Sequence, residues 1–207
     1  MNINFNKKSW IFKRKNEEFY LKAKKYGYRS RSVFKLLEIQ NKYKIFKSCM
    51  NIIDFGSHPG GWSEFVYECI YGNGYILSVD RVIIESIFGV NFINGNINNK
   101  KFFNEVVNKL DNIVIDIIIS DLSPDITGNK VIDIYNVIYL ANIILIFSKK
   151  ILKFKGNLLI KLFYGDEFDF YINVLKNYFL NIYIIKPKAS ILSSSEVYVF
   201  GKNFSMI

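Results

Sequence analysis

Histidine, cysteine and proline are nearly absent from this chain, and each shortage removes a class of chemistry. One histidine, His58, among 207 residues leaves no His-rich metal site and few routes to a His-based triad. Two cysteines, Cys49 and Cys69, make neither a disulfide framework nor a zinc cluster, so no metal is expected and a reducing interior is. Long apolar runs are missing too. The longest, Val137 to Phe147, is broken by Asn142 and falls short of the roughly 18 residues of a membrane span, so it reads as a core helix. The N-terminus lacks the apolar stretch of a secretory signal, while a mitochondrial presequence stays open, with Glu17 and Glu18 arguing only weakly against it. The chain is expected to be intracellular, in the cytoplasm or a mitochondrion, and to act without a membrane.

Acidic residues are scarce at one end only. Residues 1–48 hold 14 Lys/Arg against 3 Asp/Glu, a net +11, while the remainder is close to neutral. A solvated basic face is the plain reading of a charge run. Segregation beside a neutral body is also what a polyanion-binding arm looks like, with Lys13, Arg14, Lys15, Lys22, Lys24, Lys25, Arg29 and Arg31 as the phosphate contacts. From Arg29 to Tyr43 the apolar positions Val33, Leu36 and Leu37 follow helical spacing, with Arg31, Lys35, Glu38 and Lys42 as a mostly basic stripe opposite.

What is present centres on Asn51 to Trp62. The apolar Ile52, Ile53 and Phe55 predict a buried strand, Gly56, Ser57, Pro59, Gly60 and Gly61 a tight loop, and Trp62 onward a helix whose free N–H groups face that loop. The order Gly56-x-x-x-Gly60-Gly61 lacks the second glycine of G-x-G-x-x-G, so a nucleoside without a pyrophosphate fits better than a dinucleotide. Asp80 ends the next apolar run, about 20 residues on, where an acid takes ribose hydroxyls. Together these features point to S-adenosylmethionine.

Further apolar runs predict strands at 51–56, 75–80, 90–94, 114–120, 157–163, 181–186 and 196–201, with helices at 62–70, 99–111, 130–152 and 166–179. Continuous runs such as Val114 to Ile119 suit strands buried on both faces. The expected fold is α/β, a seven-stranded, mainly parallel sheet with helices on both faces and an antiparallel strand near one edge. With no repeat and no low-complexity linker, 207 residues make one domain with a basic N-terminal segment over about 1–48. Pro59, Pro124 and Pro187 all follow strands, at the sheet end where such folds bind ligands.

Four charged residues interrupt apolar surroundings: Lys35, Asp121, Lys161 and Glu196. Lys161, inside Leu158 to Phe163, is costly to bury unpaired; it is either a snorkelling edge residue paired to Asp121 or part of a site. Arg29 to Leu36, Asp54 to Ser63, Ser120 to Pro124, Gly165 to Asp169, Lys186-Pro187 and Glu196-Val197-Tyr198 resemble, in order and over nearly the whole chain, the motifs of the FtsJ/RrmJ family of RNA ribose 2′-O-methyltransferases. The resemblance implies a Rossmann-like methyltransferase fold, S-adenosylmethionine as methyl donor, and a catalytic tetrad of Lys35, Asp121, Lys161 and Glu196. It places donor contacts at Gly60, Trp62, Asp80, Asn96 and Asp121. The compact form is similar to the bacterial and mitochondrial type that methylates a uridine of large-subunit ribosomal RNA, which makes ribosomal RNA or the large subunit the partner and a monomer the working unit.

Two positions depart from the family's pattern. Asn96 stands where an acid usually holds the adenine amino group, and its side-chain carbonyl can still accept that bond, more weakly. His58 replaces a small loop residue and is expected to be a tolerated exposed side chain. The rival readings are methylation of transfer RNA or an mRNA cap, a non-catalytic RNA-binding assembly factor, and a nicotinamide-dependent reductase.

Overall fold

Alternation of side chains across a buried sheet explains most of this architecture. The computed structural model describes residues 18–190 and 194–205. Lys13, Arg14 and Lys15 of the basic segment lie outside the described residues. In order, the elements are α1 (residues 18–26), α2 (Val33–Tyr43), β1 (Met50–Phe55), α3 (Gly61–Cys69), β2 (Gly74–Asp80), β3 (Asn91–Asn94), α4 (Lys100–Leu110), β4 (Ile115–Ser120), α5 (Lys130–Ile151), β5 (Leu152–Phe163), α6 (Phe168–Lys176), β6 (Phe179–Ile185) and β7 (Glu196–Phe204).

The seven strands run in the order β3-β2-β1-β4-β5-β7-β6. All pairings are parallel except those of β7, which lies antiparallel between β5 and β6, so the antiparallel strand sits one place in from the edge. On one face Ile53, Leu77, Ile118 and Ile160 pack under α4, α5 and α6. On the other Ile52, Ile76, Ile117 and Leu159 meet Val33, Leu36 and Ile39 of α2 and Trp62 and Val66 of α3. Fully buried Leu36 anchors the helix that carries Lys35, and truncating it to alanine costs about 2–5 kcal/mol at such a site.

α5 is capped by Asn129, whose side chain accepts from Val131 N and Ile132 N. Its 22 residues are long and apolar enough to cross a membrane by length and composition alone, and half of its most apolar window is buried in the protein. The Phe147 ring packs, tilted, against Phe55 at 4.8 Å and Phe103 at 4.5 Å, as expected of a core helix.

β5 and β7 extend furthest beyond the apolar runs that predict them. β5 starts at Leu152, directly after α5, because Leu152 pairs with Ile115 before a bulge carries the register to Ile117↔Asn157; Lys153, Lys155 and Gly156 in that bulge read as loop. β7 continues through Gly201-Lys202-Asn203 because Phe204 still pairs with Phe179. α2 begins at Val33, not Arg29, and its supposed basic stripe is not a free face: Lys35 turns into the protein and Glu38 accepts from Lys188 N at 2.7 Å.

Candidate active site

The carboxyl ends of β1, β2, β3 and β4 open toward one cleft. After β1 the chain turns at Gly56, where φ is +81° and a Cβ would lie 2.9 Å from the Leu122 backbone nitrogen. Gly60, at φ +109°, is the N-cap of α3, and a Cβ there would meet Ile87 at 2.9 Å and the Arg29 stem at 3.2 Å. Ser57, Gly60, Gly61 and Trp62 are all buried, Pro59 is half-buried after a cis His58–Pro59 bond, and His58 is exposed as expected.

Asp80 ties this loop to the end of β2. One carboxylate oxygen accepts from His58 N at 2.8 Å and the other from Val82 N at 2.8 Å. Each oxygen keeps a lone pair for a ligand hydroxyl. The cleft, about 640 Å³, is lined by Gly56, His58, Asp80, Asn96, Asp121 and the Leu122 to Pro124 stretch, and also by Asp125, Thr127, Asn136 and Tyr139, which sequence reading did not single out. That volume suits a nucleoside-sized ligand. Buried Ser57 Oγ has no hydrogen-bond partner among the described residues, as a loop built to meet a polar ligand would leave it. Asn96 is exposed at the rim, with its side-chain oxygen already accepting from Asn98 N at 3.0 Å, so one lone pair and the amide hydrogens are left.

Beneath the loop lies a buried carboxyl that sequence reading passed over. Asp54 accepts from Ser63 Oγ at 2.6 Å, Ser63 and Ser78 share a 2.6 Å hydroxyl contact, and the second Asp54 oxygen has no hydrogen-bond partner among the described residues. Burial pushes its carboxyl up to about 7; the Ser63 bond opposes this, and the negative charges of Asp121 and Asp80 add to it.

Beside the cleft the four charged residues predicted from sequence come together through a fifth. Lys35 Nζ lies 2.8 Å from one Glu196 oxygen and 3.0 Å from the other, and 3.2 Å from Tyr198 Oη. Tyr198 donates its hydroxyl to Asp121 Oδ1 at 2.7 Å. Lys161 Nζ lies 3.1 Å from the same Asp121 oxygen and donates to the Asp121 carbonyl at 2.8 Å. Strand register produces this: Lys161 pairs with Tyr198 and Phe163 with Glu196. Lys161, with 6% of its side chain exposed, is thus paired as burial demands.

Charges inside this cluster set each other's protonation. Burial acts to raise the Asp121 carboxyl, but the ammonium groups of Lys161 and Lys35 and the Tyr198 hydroxyl hold it below its ordinary value. Burial first, then the charges of Asp121 and Glu196, push the Tyr198 phenol well above 10, so it stays a donor. Its ring packs on Trp62 at 5.7 Å, and Trp62 donates to the Ser32 carbonyl at 3.0 Å, which joins the glycine loop to the tetrad. Glu196 is further held by Ser190 Oγ at 2.8 Å, and Lys186 Nζ binds the carbonyls of Ser194 and Glu196. Tyr198, Ser190 and Lys186 were not read as site residues. A tyrosine two residues after Glu196 on one strand was the available signal.

Lys22, Lys24, Lys25 and Arg31 are exposed, as phosphate contacts must be. Arg29 does not fit that expectation. Its guanidinium faces the protein and donates to the Glu85 carbonyl at 2.8 Å and the Ser86 carbonyl at 2.9 Å.

Comparison with known proteins identifies a family. The FtsJ-like methyltransferase family profile matches residues 28–204. The ribosomal RNA large subunit methyltransferase E of Francisella tularensis subsp. novicida is 37% identical over 197 residues, 95% of this chain and 96% of that protein. Its counterpart in F. tularensis subsp. holarctica is 36% identical over the same share. The crystal structure of a ribosomal RNA methyltransferase from Plasmodium falciparum superposes with a TM-score of 0.78 at 33% identity, covering 86% of this chain and 98% of that one. A human methyltransferase-like protein solved with S-adenosylhomocysteine shares the fold, at a TM-score of 0.54 and 16% identity.

Proposed function

The chain belongs to the FtsJ-like methyltransferase family, and on that premise we propose that it transfers a methyl group from S-adenosylmethionine to the 2′-hydroxyl of a uridine in large-subunit ribosomal RNA. The single observation that carries this reading is the unbroken chain of contacts Glu196–Lys35–Tyr198–Asp121–Lys161 at the side of a nucleoside-sized cleft. A ribosomal RNA substrate places the protein inside a cell. We read the chain as one domain that acts as a monomer.

In this reading Asp80 takes the ribose hydroxyls of the donor, the amide end of α3 and the orphaned Ser57 hydroxyl face its polar part, and Asn96 meets the adenine. The donor supplies an electrophilic methyl group whose thioether leaves uncharged, so no acid is needed at the leaving group. The residues have two tasks, to aim the ribose hydroxyl and to take up its proton. Lys161 is the group we assign to that hydroxyl. In its neutral form it accepts the proton; as an ammonium it can only orient the oxygen. Asp121 fixes Lys161 through two contacts, and Lys35, locked to Glu196, places the ribose. Lys22, Lys24, Lys25 and Arg31 hold RNA phosphates, and the basic residues Lys13, Arg14 and Lys15 extend the same charge.

The test is methyl transfer from labelled S-adenosylmethionine to large ribosomal subunits, free ribosomal RNA and transfer RNA. Label in a large-subunit nucleotide that resists alkali is the expected result. Label only in transfer RNA would move the substrate while keeping the chemistry, and tight RNA binding without transfer would favour an assembly factor.

A further inference from the structure

Among the described basic residues of the first quarter, Arg29 is the one aimed at the glycine loop. Its Nη1 donates to the Glu85 carbonyl at 2.8 Å and its Nη2 to the Ser86 carbonyl at 2.9 Å. Nε lies 3.7 Å from Glu64 in the first turn of α3, and both side chains are mostly buried, at 21% and 29% exposure. The stem packs on Gly60, where an added Cβ would come within 3.2 Å of Arg29 Cδ and 2.9 Å of Ile87. One side chain therefore touches the N-cap of α3, the first turn of that helix and the far half of the loop that leaves Asp80.

The near half of that loop lines the donor cleft. Arg81 and Val82 are on its wall, and Val82 N is bonded to Asp80. The carbonyls of residues 85 and 86 belong to no strand, and a planar fork with parallel N–H groups is what can bridge two successive carbonyls. The residues that follow reinforce the contact. A Cβ on Gly61 would lie 3.1 Å from Ser30 Oγ, and Ser32 O accepts from Trp62.

We propose that Arg29 is a positioning residue for the methyl donor, clamping the Gly60 loop and the 85–86 segment together, and that it is not a phosphate contact. This deepens the function proposed above and rests on it. To reach a phosphate the guanidinium would have to release both carbonyls and leave Glu64 without its cation. Because the clamped segment, residues 29–32, runs from the exposed RNA-binding residues of α1 into the helix bearing Lys35, it also joins the RNA side of the site to the donor side.

Calorimetric titration with S-adenosylmethionine, and binding of a ribosomal RNA fragment at several salt concentrations, separate the two roles in wild type, Arg29→Ala, Arg29→Lys and Arg31→Ala. The expected result is donor affinity lowered roughly tenfold by both Arg29 variants, since lysine keeps the charge but lacks the fork, with the salt slope for RNA unchanged. Arg31→Ala should do the reverse and reduce that slope by about 0.7–0.9. Binding stoichiometry reports the folded fraction, so a loss of sites at unchanged affinity would mean a merely structural role and overturn the proposal. So would unchanged donor affinity with a smaller RNA salt slope in Arg29→Ala that lysine restores. A wild type that binds no S-adenosylmethionine would overturn the underlying function and this inference with it.

Discussion

The Tyr198 hydroxyl donates to Asp121 Oδ1 at 2.7 Å while receiving the Lys35 ammonium at 3.2 Å, so one phenol oxygen joins the two halves of the tetrad. Without it, Lys35–Glu196 and Asp121–Lys161 are two separate ion pairs on different elements. Both pairs are partly desolvated, where hydrogen bonds to charged groups contribute about 1.5–3 kcal/mol each.

Tyr198→Phe keeps the ring on Trp62 and removes only the bridge. We expect stability to fall by about 1–2 kcal/mol and the turnover rate by roughly tenfold, with donor affinity nearly unchanged. Chemical denaturation and initial-rate kinetics read these separately. A variant with wild-type turnover would show that the two pairs act independently.

Asp54 predicts an unusual dependence of stability on pH. Its folded carboxyl is raised by burial from 3.8 to about 7, so between those values the folded state holds a proton that the unfolded chain releases. The associated stability is full below pH 4 and is lost as pH rises through 7. Asp121 works the other way: its lowered carboxyl contributes stability above its unfolded value, lost only in more acidic solution. Asp54→Asn should therefore flatten the fall in unfolding free energy from pH 4 to 7 and leave the acid limb in place. Melting curves across that window check it, and an unchanged slope would mean that Asp54 is ionised in the fold.

RNA affinity should fall steeply with salt if the exposed cations of the first quarter hold phosphates. Each of Lys22→Gln, Lys24→Gln, Lys25→Gln and Arg31→Gln is expected to lower the log–log slope by about 0.7–0.9. Filter binding between low and moderate salt measures it. Lys22 also pairs with Glu18 at 2.6 Å on the surface, a contact contributing no more than about 1 kcal/mol, so it can turn to a phosphate at little cost.

How far the sequence could be read follows from what sets each feature. The strand–glycine–helix unit was legible because Ile52, Ile53 and Phe55 are buried and Gly56 and Gly60 need positive φ, both local properties. The tetrad was legible because Lys161 interrupts an apolar strand and the ordered motifs resemble a family. Tyr198 was not, since a tyrosine in a β-strand looks like core, and only the register Lys161↔Tyr198 sets it between two charges. The direction of Arg29 was hidden for the same reason: its partners are the carbonyls of residues 85 and 86, 56 and 57 positions away. Composition reports that a residue is basic and says nothing of which way it turns.

The most direct measurement is single-turnover methyl transfer to large ribosomal subunits at saturating S-adenosylmethionine and RNA, with wild type and Lys161→Ala, alongside donor binding and a melting curve for each. Lys161→Ala leaves Asp121 buried with Tyr198 and Lys35 as its remaining partners, so some loss of stability is expected and the assay temperature must lie below both transitions. The expected result is donor affinity close to wild type and a transfer rate lower by at least about 100-fold, the contribution of a positioned acid–base group. Transfer at the wild-type rate in a folded, donor-bound Lys161→Ala would contradict it and return Lys161 to a structural ion pair.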